Sequence, residues 1–209
     1  MRYFYDTEFI DDGERIDLIS IGIVAEDGRE LYLQSCEFNP KKASEWVREN
    51  VFPHLVLCPH TFGKEYDSGE MAADYIGATL RRHKQGQCLD QVYGLRHRCP
   101  YRTRAQMKQE ILSFMDVERH GKPELWAYYA DYDHVAFCHL FGTMMDLPEG
   151  FPMYTMDIKQ FCKMLGDPRL PEQGKGEHNA LADACWNKAA WEFLVDYANP
   201  FKDWKPKER

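Results

Sequence analysis

Residues 2–10 read RYFYDTEFI, a run of aromatic and β-branched residues with two acids set inside it. That composition is a strand's. In an element of period 2, Asp6 and Glu8 leave the same face with their Cα atoms about 6.6 Å apart. Two carboxylates on one strand face repel each other unless a cation lies between them. The competing reading is an edge strand with a solvated face.

Working outward, Asp11-Asp12-Gly13 is a turn signal, and residues 15–25 (RIDLISIGIVA) read as a second strand. Glu26-Asp27-Gly28 turns the chain again, and residues 29–38 (RELYLQSCEF) close a three-stranded meander. Residues 44–57 read as helix interrupted at Pro53, and residues 58–100 as an irregular stretch with helix around 69–84. Thr103-x-x-Gln106 is a capping box opening a helix with Met107, Ile111, Leu112 and Met115 on one face. Then come an apolar strand (124–130, ELWAYYA), a helix over 132–145 ended by Pro148, a short strand at 155–158 running into helix to Leu165, and a long helix over 177–197. This order predicts an α/β fold: one mixed five-stranded sheet, an antiparallel meander plus parallel strands, flanked by helices. The chain reads as a single domain over residues 1–198, with an insertion at about 58–100 and a basic tail at 199–209.

The 209 residues carry 34 acids against 26 bases, a net charge of −8. A protein that grips long duplex nucleic acid shows a basic footprint; here any nucleic-acid contact is expected to be short, such as one strand end. No apolar run reaches the ~20 residues that span a bilayer, so no membrane association is expected. The start lacks the pattern of a secretory signal, and seven cysteines without a CxxC pair suit reduced thiols, so the expected location is cytoplasmic.

Two further acidic patches accompany Asp6 and Glu8. Ala130-Asp131-Tyr132-Asp133-His134 follows the apolar strand, at the strand-to-helix boundary where open α/β sheets place ligand groups; either Asp also suits a helix cap. His178-Asn179-Ala180-Leu181-Ala182-Asp183 starts the last helix, with Asp183 inside it and small residues around it for close packing. Four carboxylates and a histidine at such positions suit hard divalent cations, Mg²⁺ or Mn²⁺. A pair of such ions ~3.5–4 Å apart is the known clamp for in-line phosphoryl displacement.

Asp6-Thr7-Glu8, Tyr132-Asp133 and His178-x-Ala180-x-x-Asp183 resemble the three motifs of the DEDDh (DnaQ-like) 3′-to-5′ exonucleases, in order. The wider strings YDTEFIDD (5–12), WAYYADYDHVA (126–136) and EHNALADA (177–184) look closest to the RNase AS-type exoribonucleases, which prefer adenylate-rich RNA and form homodimers. The resemblance covers roughly 1–57 and 103–198. It implies an RNase H-like fold, a single-stranded RNA 3′ end as partner, and a homodimer. It also implies two Mg²⁺ (or Mn²⁺) held by Asp6, Glu8, Asp133 and Asp183, and His178 taking a proton from the attacking water near neutral pH. Asp133 is preferred to Asp131 because the motif wants an aromatic immediately before the acid. Phe9, on the opposite strand face, is assigned to core packing ahead of stacking a terminal base. A DNA-trimming exonuclease and an inactive module that only binds nucleic acid are the competing functions.

Other signals carry weaker readings. Cys58-x-His60, Cys88 and His97-x-Cys99 form a candidate zinc set whose spacing departs from standard modules. Arg81-Arg82-His83-Lys84 and the arginines at 96, 98, 102 and 104 read as a solvated helix face and loop, or as a strand-guiding lip. Met144, Met145, Met153 and Met156 read as core filler, and Trp186 and Trp191 as helix packing that extends to a dimer surface.

Overall fold

The fold is known from a computed structural model that describes residues 1–56, 58, 70–86, 99–174 and 176–199, with backbone alone for 70–74. The meander forms as the sequence predicts: β1 (Arg2–Asp11), β2 (Ile16–Ala25) and β3 (Glu30–Ser35), joined antiparallel. Helix α1 (Glu45–Asn50) follows, its N-terminus capped by the Ser44 side chain, which accepts from the Val47 N–H. A 3₁₀ turn at Phe52–His54 comes next, then α2 (Glu70–Lys84). The remaining elements are β4 (Tyr101–Arg102), α3 (Arg104–Met115), α4 (Val117–His120), β5 (Glu124–Ala127), α5 (Asp131–His139), β6 (Met156–Asp157), α6 (Ile158–Met164) and α7 (Ala180–Ala198).

The sheet order is β4-β3-β2-β1-β5-β6, with β1–β5, β5–β6 and β3–β4 parallel. The mixed sheet is therefore six-stranded, one more than the sequence count. The addition is the two-residue β4, which pairs with Gln34 and Ser35 through long-range contact and leaves no periodic pattern in sequence.

Strand alternation decides which side chains meet which helices. Tyr3 and Tyr5 point to one face, where they join Ile21, Ile23, Leu33, Met107, Ile111 and Phe137 under α3 and α5. Phe4 points to the other, with Trp126, Ile158, Ala190 and Leu194 under α6 and α7. A second core on β1, β2 and β4 holds Ile10, Ile19, Val47, Val51, Phe52, Ile76, Leu80 and Tyr101. Trp191 packs its ring 5.4 Å from Phe4 and lies under the Arg2 guanidinium, so it is used within the fold.

Three local expectations are corrected. The helix over 132–145 stops at His139: Gly142 adopts φ +132°, and Thr143 starts a separate 3₁₀ turn at Met144–Asp146 with its own capping box. Met144 and Met145 are consequently exposed, and Met153 and Met156, before and on the edge strand β6, are exposed as well, which replaces the core-filler expectation for all four. The last helix begins at Ala180, since Asn179 caps it by accepting from the Leu181 and Ala182 N–H groups.

Gly22 positions that helix. A Cβ at Gly22 would stand 2.3 Å from the Ala180 carbonyl oxygen and 2.4 Å from Leu181 Cα. Glycine thus lets the first turn of α7 lie directly on β2, opposite Asp6 in the β1–β2 register.

Candidate active site

Asp6 and Glu8 share the Phe4 face of β1 with the N-terminal turn of α7, which carries Asp183. Asp133 reaches the same place from the first turns of α5. Its Oδ1 accepts from the Thr7 backbone N–H at 2.8 Å and from the Thr7 hydroxyl at 2.5 Å. Asp131, at the outer side of the same turn, is exposed. The Asp183 carboxylate accepts from the His178 backbone N–H at 2.9 Å and from the Gln173 amide at 2.5 Å. His178 stands just before α7 in the left-handed region, at φ +68°. One ligand atom from each of Glu8, His178 and Asp183 lies within 4.8 Å of the other two. Asp6, Thr7, Glu8, Asp133, His178 and Asp183 all line one cavity of about 540 Å³.

Electrostatically the cluster is under tension. Burial pushes the Asp6 carboxyl well above its ordinary value, and the charges of Asp133, Glu8 and Asp183 push it further the same way. Burial, then Asp183 and Asp133, push Glu8 up to about 8. Asp133 is raised by burial against the lowering pull of its two Thr7 hydrogen bonds. Asp183 is also raised by burial, while the Gln173 and His178 bonds oppose the rise. Glu8, Asp133 and Asp183 are each at most 9% exposed, yet among the described residues no Lys or Arg ion pair reaches any of the four acids. A buried oxygen-donor set that no described lysine or arginine pairs with is chemically matched to hard divalent cations.

The cavity walls are aromatic. Phe9 stacks on Tyr132 with 5.7 Å between centroids and 10° between planes. It belongs to the cavity wall and to none of the described core clusters, which replaces the core-packing expectation. Its strand face lies beyond the end of the Tyr3–Tyr5 core, and a bulge between the Glu8 and Phe9 pairings loosens β1 from β2 there. Trp46 of α1 is half exposed and meets the His178 ring edge-on at 4.9 Å. Tyr129, 65% exposed, packs edge-on against Tyr128, which rests on Trp186. The sequence reading missed Trp46, Tyr128 and Tyr129 as wall residues. The aromatic run beside the acids in 126–132 was the available signal for the tyrosines, whereas Trp46 arrives from a distant helix.

The arginine lip does not form from Arg102 and Arg104. Arg102 is ion-paired to Glu110 and donates to the carbonyls of Cys99 and Tyr101, and Arg104 is ion-paired to Asp17. Arg96 and Arg98, and with them His60, Cys88 and His97 of the zinc set, lie outside the described residues. No disulfide joins any two of the six described cysteines, and among the described residues no helix is long and apolar enough to cross a membrane.

Comparison with known proteins gives the family. A family model described as the 3'-5' exoribonuclease Rv2179c-like domain matches residues 1–195. Two Mycobacterium tuberculosis proteins are each 38% identical to the chain over 184 residues, covering 88% of it and 87% of each relative: the 3'-5' exoribonuclease Rv2179c of strain H37Rv and the 3'-5' exoribonuclease MT2234.1 of strain CDC 1551. The chain, with its six-stranded mixed sheet and acid-lined cavity, belongs to the Rv2179c-like 3'-5' exoribonuclease domain family.

Proposed function

We propose that this chain is a metal-dependent 3′-to-5′ exoribonuclease of the DEDDh type that releases nucleoside 5′-monophosphates from single-stranded RNA ends. The observation that carries the reading is the convergence of Asp6, Glu8, Asp133, Asp183 and His178 in one aromatic-walled cavity. Family membership gives the direction of attack and the class of substrate.

Asp6, Glu8, Asp133 and Asp183 hold two Mg²⁺ or Mn²⁺ ions in this reading. When bound, such a pair supplies a water acidic enough to attack and a counter-charge for the departing 3′ oxygen. The protein's own part is positioning and proton transfer. Thr7 fixes Asp133 through both its N–H and its hydroxyl, and Gln173 with the His178 N–H fixes Asp183. An imidazole nitrogen of His178 takes the proton of the attacking water. The edge-on contact with Trp46 orients that ring. Phe9, Tyr132 and Tyr129 offer faces to unstacked terminal bases, which a duplex end does not present. The net charge of −8 is consistent with a grip limited to the last nucleotides. We also propose a homodimer, with Met153 and Tyr154 beside the edge strand β6 and Met156 on it as its exposed apolar surface.

The test uses RNA and DNA oligonucleotides of one sequence, labelled at the 3′ end, with Mg²⁺ or Mn²⁺ and with or without chelator. Labelled mononucleotide is expected from RNA at the first turnover, and the chelator stops it. Intact RNA with both metals, or internal cleavage, overturns the proposal. Faster trimming of DNA than of RNA moves it to the DNA exonuclease reading.

A further inference from the structure

Cys58, His83 and Cys99 come together in the second core, each no more than 5% exposed. One ligand atom from each lies within 4.8 Å of the other two. The His83 imidazole is set for ligation: Nδ1 lies 2.7 Å from the Thr79 carbonyl oxygen, to which it donates, so the Nε2 lone pair faces inward, 2.9 Å from Cys99 Sγ. A backbone carbonyl holding the outer nitrogen is the usual support of a metal-bound histidine. An ordinary thiol–imidazole hydrogen bond needs one sulfur, and here two converge on one imidazole. His83 is the residue that the basic run 81–84 concealed: Arg81 and Lys84 are exposed as a solvated helix end requires, while His83 is buried.

The three residues also stand at telling places in the chain. Cys58 is where the chain departs into residues 59–98, Cys99 is where it returns to enter β4, and His83 lies near the C-terminal end of α2 between them. A single bond centre there closes the excursion at its base and ties its helix to the sheet edge. Closing a long loop is where a metal clip gains most.

We propose that Cys58, His83 and Cys99 bind one zinc ion as a structural site, independent of the acid cavity. Two thiolates and an imidazole are soft to borderline donors that select zinc over magnesium. Binding releases one proton from each thiol, and the two thiolates offset the charge of the ion, leaving the site neutral among Leu80, Ile76 and Tyr101. Tetrahedral zinc places a sulfur and a nitrogen ligand about 3.6 Å apart, so His83 Nε2 and Cys99 Sγ open by roughly 0.7 Å to admit it. Three ligands among the described residues leave one tetrahedral position for a further donor.

The test uses the full chain purified with its thiols reduced. It is loaded with Zn²⁺ or Co²⁺, dialysed against metal-free buffer and examined by elemental analysis and absorption. The expected result is about one zinc per chain, and a cobalt form with thiolate-to-metal charge-transfer bands. Cys58→Ser and Cys99→Ser lose both signals, and Asp183→Asn, which disables the acid cavity, keeps them. Zinc that Asp183→Asn removes and Cys99→Ser leaves would place the ion in the acid cavity and overturn the proposal. So would a cobalt spectrum of the unmutated chain without thiolate bands, a readout that does not depend on any variant folding.

Discussion

Gly22→Ala places a methyl group where the backbone of α7 already stands. The new Cβ would lie 2.3 Å from the Ala180 oxygen and 2.4 Å from Leu181 Cα, both backbone atoms that no rotamer change can move aside. Restoring an ordinary contact of about 3.4 Å requires the first turn of α7 to back away by about 1 Å. Overpacking of this kind costs about 1–3 kcal/mol, which in a chain of this size lowers the melting temperature by about 2–4 °C per kcal/mol. The same retreat carries Asp183 and His178 away from Glu8 and Asp6, and a misplacement of about 1 Å costs on the order of 100-fold in rate. The assay pairs thermal unfolding with kcat/KM on a 3′-labelled RNA. Gly77→Ala is the control: its Cβ meets nothing closer than 3.7 Å, and alanine in the middle of α2 should be neutral or stabilising by up to about 1 kcal/mol. A Gly22→Ala protein as active and as stable as the parent would refute the claim that close approach of α7 to β2 assembles the site.

Further outcomes follow from the acid cluster. The raised carboxyl of Glu8 means the folded chain binds a proton that the unfolded chain gives up between pH 4.5 and about 8, so metal-free stability falls as pH rises through that window. The penalty from Glu8 alone is about 3 kcal/mol at pH 7, and denaturant titrations should show metal-free Glu8→Gln more stable than the parent at pH 8 but equal to it near pH 4.5. Asp133→Asn should lower turnover by about 100-fold or more, the scale of a lost charged group at a reacting phosphate, while Asp131→Asn stays near the parental rate. Equal losses in the two would mean that Asp131 shares the ligand role. His178→Ala should cut kcat with calorimetric Mg²⁺ affinity nearly unchanged; a parallel fall in affinity would make the imidazole a ligand.

What could be read from sequence was what sequence-local physics controls. The period of a strand put Asp6 and Glu8 on one face, a capping box opened α3 at Thr103, and both hold in the structure. The acid cavity was legible because its members sit at element boundaries, where alternation and helix starts fix direction. The features that escaped are set by tertiary contact. Trp46 reaches His178 from a helix more than a hundred residues upstream, and Phe9 turns out to face Tyr132 at the end of a core. Met144 and Met145 looked like core filler as long as a continuous helix carried them, and the turn at Gly142 removed that premise. Arg102 and Arg104 looked free to guide a strand, but Glu110 and Asp17 claim them.

The left-handed backbone of His178 has a practical consequence. The group it gives to Asp183 is its main-chain N–H, so deleting the imidazole leaves that carboxylate held. Asparagine tolerates this conformation better than other residues apart from glycine. His178→Asn should therefore yield a catalytically silent protein that still captures RNA ends, a bait for recovering the transcripts on which the enzyme acts in the cell.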